Sequence, residues 1–456
     1  MSSSRMRLAL NMKPWKNQNK MGRKLKLFAL LCLTAISAFA QQQLTLQEAI
    51  SIALQNNYDI KISKNVSSIA KNNANIGNAG MLPNLTGSYT NGGSIQNTRQ
   101  TPATGPDRVI TGAKSTNQSY GADLNWTIFD GFTMFANYDR LKELQKQGEV
   151  NSRLAILTTV SDVITAYYDV VRQQQLVIAA DSAMDVSVLR TNIAKTKLQL
   201  GRGSKLDVLT AQVDYNTDTS SYLQTKNALQ VAKVRLNQLL VRDISTNFTV
   251  DKYIELEKGL LYTQLAEVAT NQNPTVQNAF INQKIASLNL KAVRGARYPS
   301  ISLNSGYSRA NSTSPTGFNQ KFAANGFTYG VTASINLFNG FLQRQQERNA
   351  KIEIDNAGLN LEKTKLDVNA QLLSAYQNYT TYLDLVKLEQ RNVDIAKENL
   401  DITLAKYRLG SIAPLELREA QRNAIDVQNR FIEMQYQAKL AETTLKEISG
   451  SINLSN

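Results

Sequence analysis

Two stretches of the chain alternate strictly between apolar and polar residues. From 120 to 128 the even positions are Tyr120, Ala122, Leu124, Trp126 and Ile128, separated by Gly121, Asp123, Asn125 and Thr127. From 327 to 337 the odd positions are Phe327, Tyr329, Val331, Ala333, Ile335 and Leu337, separated by Thr328, Gly330, Thr332, Ser334 and Asn336. Period two predicts strands with one apolar and one polar face. Nine to eleven such residues suit a strand that crosses a bilayer. A less regular strand precedes each. One follows Pro83 (Leu85, Tyr89) and the other follows Pro299 (Ile301, Leu303, Tyr307), since proline is tolerated at a strand's first residue. The predicted strands are about 83–93, 118–129, 299–309 and 326–338. The residues between the members of each pair are rich in Gly, Ser, Thr, Asn and Pro and read as loops.

Elsewhere the period is helical. Leu46, Ala49, Ile50, Ala53 and Leu54 form one stripe. They predict an opening helix over about 44–80, with a counterpart over 262–297. Residues 133–200 and 342–409 are 68 each and contain no proline. As helices they would each extend roughly 100 Å. Leu157, Val160, Ile164, Tyr167, Val171 and Ile178 step by 3, 4, 3, 4 and 7, as do Leu372, Ala375, Tyr379, Tyr382, Val386 and Val393, which predicts coiled-coil packing. Gly201 and Gly410 stand where left-handed caps would end these helices. Shorter helices return over 206–240 and 415–448.

The elements occur twice. At an offset of 209, Phe129, Gly131 and Phe132 match Phe338, Gly340 and Phe341, Ala166 and Tyr167 match Ala375 and Tyr376, and Leu206 and Asp207 match Leu415 and Glu416. Upstream the offset is 216, pairing Asn57 with Asn273 and Pro83 with Pro299. The chain is therefore two repeats, 41–250 and 251–456. Each repeated strand ends in Phe, then Asp130 or Asn339, then Gly131 or Gly340. There glycine allows a turn and the acid or amide can cap the helix that follows.

Four strands cannot close a membrane sheet. Lipid offers nothing to an unpaired backbone edge, and the smallest membrane barrels need about eight strands. Two chains would give eight strands and three would give twelve. A hairpin of a soluble sandwich is the simpler reading of one isolated pair. However, no further β-rich segment supplies a second sheet, and the polar face carries only one charge, Asp123.

Charge and cysteine content narrow the class. Residues 21–40 have a basic start (Arg23, Lys24, Lys26), an apolar stretch and a small-x-small site at Ala38 and Ala40, as a secretory signal peptide does. Residues 1–20 read as an over-extended start upstream of Met21. Residues 1–40 hold eight Lys/Arg and no acid, so without them the net charge falls from +15 to +7 and a nucleic-acid partner is not expected. The single cysteine, Cys32, lies in this leader behind Leu31, which is not the small residue a lipoprotein signal carries. The rest of the chain has no Cys and no His, which excludes disulfides, imidazole bases and Cys/His metal sites. No GxSxG, HExxH or P-loop is present, so no enzyme and no cofactor is expected.

The order and doubling of these features resemble the TolC family of outer-membrane efflux proteins across the whole chain after the leader. The resemblance implies a mainly α fold with a membrane β-barrel portion. That is a homotrimer whose twelve-stranded β-barrel in outer-membrane lipid continues into a twelve-helix periplasmic α-barrel. It also implies a collar around residues 241–261, a periplasmic adaptor (membrane fusion protein) and an inner-membrane transporter, in drug or metal efflux or in type I secretion. Family members often carry a second glycine where Phe132 and Phe341 stand, so the local turn should differ here. Aligned on PLELREA, the family's acidic constriction falls on Glu416 and Glu419, which share a helix face at i,i+3. A solvated face beside Arg418 and Arg422 is the alternative. Asp207 and Tyr407 occupy the positions of tip-closing contacts. Ile412 replaces an expected basic residue, leaving Arg408 and Arg418 as the basic candidates. Leu200, Gly201, Leu206, Val208, Leu209, Leu409, Gly410 and Leu415 correspond to adaptor-docking tips, although several are also plain coiled-coil positions. Tyr120, Trp126 and Tyr329 are candidates for an interfacial aromatic belt. Two other classes compete. One is a structural or adhesive trimeric coiled-coil surface protein without a channel. The other is a periplasmic adaptor, which would need a lipoyl-like β-domain.

Overall fold

The computed structural model describes residues 43–452 apart from Phe318, so the expected leader lies outside the described residues. The chain runs α1 (Leu46–Asn56), α2 (Tyr58–Asn73), β1 (Asn84–Gln100), β2 (Arg108–Asp130), α3 (Thr133–Gln199), α4 (Lys205–Leu239), α5 (Tyr262–Gln272), α6 (Pro274–Gly295), β3 (Ser300–Thr313), β4 (Lys321–Ser334), α7 (Leu342–Leu409) and α8 (Pro414–Ser449).

The two opening helices expected over 44–80 and 262–297 are each broken once, by an asparagine, and the first ends at Asn73, short of the expected 80. Asn57 Oδ1 accepts the N–H groups of Asp59 (2.8 Å) and Ile60 (3.3 Å), capping α2, while its Nδ2 donates to the Leu239 carbonyl at the end of α4 (3.0 Å). Asn273 repeats this, with the N–H groups of Thr275 (2.8 Å) and Val276 (3.1 Å) and the Ile448 carbonyl (2.8 Å). One side chain thus starts a helix and satisfies an orphan carbonyl of the returning one.

The polar segments expected as loops are mostly strand. β1 and β2 leave only 101–107 between them, and β3 and β4 leave only 314–320. Ladder pairing satisfies the backbone whatever the side chains are, so a Ser/Thr/Asn/Gly run with water on both faces can extend a hairpin. A bulge at Asn97, whose Oδ1 accepts the Gly112 N–H at 2.8 Å, is the one irregularity of the first ladder. The fourth strand ends at Ser334, short of the expected 338.

The four strands form one antiparallel sheet in the order β1-β2-β3-β4. Its register gathers the alternating residues. Tyr89, Tyr120 and Arg309 lie level, followed by Gly87, Ala122, Tyr307 and Phe327, then Leu85, Leu124, Ser305 and Tyr329, then Trp126, Leu303 and Val331. This is one continuous, mostly apolar face. The opposite face carries Thr86, Asp123, Gly306 and Thr328 and their polar neighbours.

The helices form a parallel array. α2 and α4 lie along successive parts of α3, and α6 and α8 lie between α3 and α7. Tyr167 is fully buried and its hydroxyl donates to Asp251 Oδ2 (2.7 Å), joining α3 to the segment around Phe248, Val250 and Ile254. Leu44 donates its N–H to the Thr249 carbonyl (2.8 Å) in the same core. In the second half the buried phenol is Tyr379, bonded to the Glu257 carbonyl (2.5 Å), one turn beyond the Tyr376 that matches Tyr167 by sequence.

Candidate functional site

At the end of the helices remote from the sheet, two tight turns stand together. Gly201 (φ +70°) and Gly410 (φ +79°) adopt the left-handed conformation, and the N–H groups of Arg202 and Ser411 close onto the carbonyls of Lys197 (2.8 Å) and Lys406 (3.0 Å). Ser204 and Asp207 then cap α4 reciprocally, at 3.1 and 3.0 Å. Ala413 has no side-chain acceptor, so α8 forms only the return half, with Glu416 Oε1 accepting the Ala413 N–H at 3.3 Å.

A cleft of about 690 Å³ separates the turns, and Leu200, Asp207, Tyr407, Arg408, Leu409 and Gly410 all line it. Tyr407 is buried beneath the Lys197 ammonium, which sits 4.0 Å from its ring centre and donates to its carbonyl at 2.8 Å. Burial raises the Tyr407 hydroxyl above its ordinary pKa, with Asp207 adding to the rise and Arg190 opposing it. The apolar tips face outward: Leu206 is 70% and Leu409 83% exposed, and Leu200, Leu209 and Leu415 are also more than half exposed. Val208 is half-buried.

Arg418 is not part of this cleft. Its guanidinium donates to both carboxylate oxygens of Asp218 (2.8 and 3.0 Å) and lies 3.6 Å from Asp214. Asp214 also pairs with the buried Arg190, and Ser187 donates to Asp218. Gln421 completes the group by donating to Ser187 Oγ (2.8 Å) and the Ala183 carbonyl (2.9 Å). The cluster ties α8 to both α3 and α4. Ser187, Arg190, Asp214, Asp218 and Gln421 carried no sequence-level expectation. The i,i+4 spacing of Asp214 and Asp218 and the i,i+3 spacing of Arg418 and Gln421 were the only available signals.

Glu416 and Glu419 are exposed and line a separate cleft of about 350 Å³ with Lys406, Asn399, Ala420 and Asn423, while Leu417 beside them on α8 is fully buried. Higher up, Glu442 is buried. Burial alone would raise its carboxyl, but Lys439, Lys446 and the Glu257 N–H outweigh it and hold the pKa below its ordinary value.

The proposed belt residues stand at three heights on the sheet. Tyr120 marks the edge nearest the hairpin turns and Tyr329, level with Leu124, lies four register pairs below it. Trp126 lies two further pairs below, where its indole N–H donates to the Met81 carbonyl (2.9 Å). At the strand–helix joints, Asp130 Oδ1 accepts the Met134 N–H (3.0 Å) and Asn339 Oδ1 the Gln343 N–H (3.4 Å). The N-cap positions themselves are Phe132 and Phe341, both left-handed (φ +69° and +65°).

A one-faced apolar sheet standing on two long helices defines a subunit of an outer-membrane channel. Residues 49–241 and 265–451 match the family described as outer membrane efflux protein, and the chain belongs to that family, the TolC family of efflux channels. It is 22% identical over 423 residues to the outer membrane efflux protein BepC of Brucella suis biovar 1, covering 92% of this chain and 88% of that one. It is 25% identical over 418 residues to the toluene efflux pump outer membrane protein TtgC of Pseudomonas putida, covering 89% and 82%. Its fold matches the crystal structure of CusC with a TM-score of 0.71 at 19% identity, over 89% of this chain and 91% of that one. The protein is an outer-membrane efflux channel, and the adhesive alternative is set aside.

Proposed function

We propose that three copies close into a twelve-stranded β-barrel continued by a twelve-helix periplasmic barrel, forming the exit duct of an inner-membrane pump joined by a periplasmic adaptor. The observation that carries this is a pair of matching open edges. β1 and β4 are unpaired on their outer sides, and lipid cannot leave them so. The helices are open on the same two sides, at α2/α4 and at α7. Along α7, Ile352, Leu359, Leu366 and Leu373 recur every seven residues, fully or half exposed, and Leu388, Ile395 and Ile402 continue the stripe. Exposed Ile62, Val66 and Ile69 of α2 and Val213 and Leu223 of α4 offer a complementary face. Detergent extracts should yield an oligomer that dissociates only on heating. Recovery as a soluble periplasmic monomer would reject the closed barrel.

In that ring six carboxylates, Glu416 and Glu419 from each chain, face the entrance, while Asp207, Tyr407 and Arg408 set the contact between the two tips of one chain. The outward leucines of the tips are the adaptor's docking points. Replacing Glu416 and Glu419 with Ala should raise conductance in a planar bilayer and reduce the preference for cations. An unchanged pore would exclude them as the constriction. The duct serves whatever the pump delivers, whether drug, metal or polypeptide.

A further inference from the structure

We propose that the outward face of the sheet binds a phosphorylated glycolipid of the outer leaflet, an acyl chain lying among Tyr89, Tyr120 and Tyr307 and phosphates meeting Arg309, Lys321 and Lys114. This rests on the reading that the sheet spans the outer membrane with its hairpin turns outside. The notch is built by size. Gly87 pairs with Ala122, leaving a gap of about 460 Å³ that Tyr89, Tyr120 and Tyr307 surround on the apolar face. The polar boundary is fixed beside it. The Tyr89 hydroxyl accepts from Gln118 (3.2 Å) and the Tyr307 hydroxyl from Asn325 (3.3 Å). Both hydroxyls thus meet amides on the side of the hairpin turns, and the rings remain at the edge of the apolar band, as interfacial tyrosines do.

The cations begin at that boundary and lie on one face. Arg309 is level with Tyr120, Lys321 pairs with Thr313, which pairs with Thr116, and Lys114 pairs with Ile95. By the alternation of the strands all three share the face of Tyr89 and Tyr120. Over the same rows the lumen face holds Thr90, Ser119, Asn117, Ser308 and Ser312 and no charge, and the outward face holds no acid. Cations needed only for solubility would have no reason to avoid the wet lumen. From Arg309 to Lys114 is six residues of strand, about 20 Å at a rise of about 3.4 Å. That is taller than one phosphodiester headgroup and suits a glycolipid bearing several phosphates. Arginine at the base supplies a bidentate phosphate contact beside an apolar wall.

The test uses the full-length protein in detergent, with diphosphoryl lipid A, its dephosphorylated form and phosphatidylglycerol as probes and native mass spectrometry as the readout. Wild type should retain diphosphoryl lipid A over the other two, with binding that weakens as salt rises. The Arg309→Gln, Lys321→Gln double variant should bind it roughly a hundredfold more weakly, the scale of two lost charge-assisted hydrogen bonds. Tyr307→Ala should weaken all acylated probes. Equal retention of the dephosphorylated form by wild type would overturn the proposal, even if the variants fail to assemble. So would double-variant binding equal to wild type, and equal retention of phosphatidylglycerol would reject the glycolipid. The heat-modified mobility of the same sample separates the two readings. An oligomer without lipid preference loses only this site, whereas no oligomer loses the barrel.

Discussion

The same phrase makes two joints, one packed and one bare. In the first half Gly131 is buried against Gly295, and Phe132 stacks edge-on against Phe129 (5.0 Å) and Tyr298 (6.0 Å) and meets Phe135 (6.3 Å). In the second half Phe341 keeps its internal partner Phe338 (5.4 Å), but Gly340 has nothing near it, and Leu337 is 89% exposed. The difference is one of position in the array. The first joint lies between β2 and the end of α6, and the second lies at the open edge beside β4 and α7. At the offset of 216, Gly295 and Tyr298 correspond to Ala79 and Leu82, which lie in the turn between α2 and β1 at the other edge of the chain. Ala79 is buried within its own chain, but Leu82 is half exposed, and in the proposed ring a neighbour's Leu82 covers the second joint. Identical sequence yields a core in one place and an interface in the other.

The sharpest way to break this comparison is an added methyl group. In Gly131→Ala the new Cβ would overlap the Gly295 carbonyl oxygen and lie 2.8 Å from Tyr298 Cβ, on a backbone at φ +68°. Strain and overpacking together should cost roughly 3–5 kcal/mol and abolish the heat-modifiable oligomer. Gly340→Ala meets only the left-handed strain, about 1–2 kcal/mol. That oligomer should form and dissociate at a lower temperature. Equal loss in both variants would show the joints to be equivalent.

The tips differ between the halves as well. At the offset of 209, Arg418 corresponds to Leu209 and Asp218 to Val427, so the charged pair that holds α8 to α4 has no counterpart in the other half. Arg418→Leu gives α8 the residue of α4 and leaves Asp218 with Ser187 and Gln421 as donors. Breaking a largely buried pair by removing one partner should cost about 3 kcal/mol. The freed α8 should raise conductance and expose the tip to protease. Adding Asp218→Val, the residue at the matching place on α8, removes the stranded charge and should recover part of that loss. Strict additivity in this double-mutant cycle would mean that the pair is not coupled.

How much of this was legible depends on how local the cause is. The alternation at 120–128 announced a one-faced strand, and Gly201 and Gly410 announced their turns, because each effect is written in adjacent residues. Residues 94–100 and 108–117 have the composition of a loop. Their pairing partners, which make them strand, lie elsewhere in the chain. Asn57 and Asn273 were visible as a matched pair, but their break in the helix depends on the Leu239 and Ile448 carbonyls, far along the sequence. The Arg418 cluster joins three helices and no spacing within one of them reveals it. The strand end at Ser334 reflects the open edge, which the repeat, read as equal halves, does not distinguish from the packed one.

The smallest effect, and the one whose sign decides most, concerns the two left-handed phenylalanines. Glycine at either position relieves about 1–2 kcal/mol of backbone strain. In Phe132→Gly the gain is set against three ring contacts within the chain, each aromatic pair contributing about 0.5–1.5 kcal/mol beyond its buried area, so the variant should be less stable. In Phe341→Gly a single internal pair is lost, with Phe338. If no neighbour covered that ring, the strain relief would about cancel the loss and oligomer melting would not move. In the proposed ring the side chain of Phe341 would also meet the adjoining chain, and the deletion would be repeated at three interfaces at once. The Phe341→Gly oligomer should therefore melt below wild type, although its own chain gives little reason for it. Melting at or above the wild-type temperature would mean that the second joint stays bare, and that the proposed neighbour contact at Leu82 does not form.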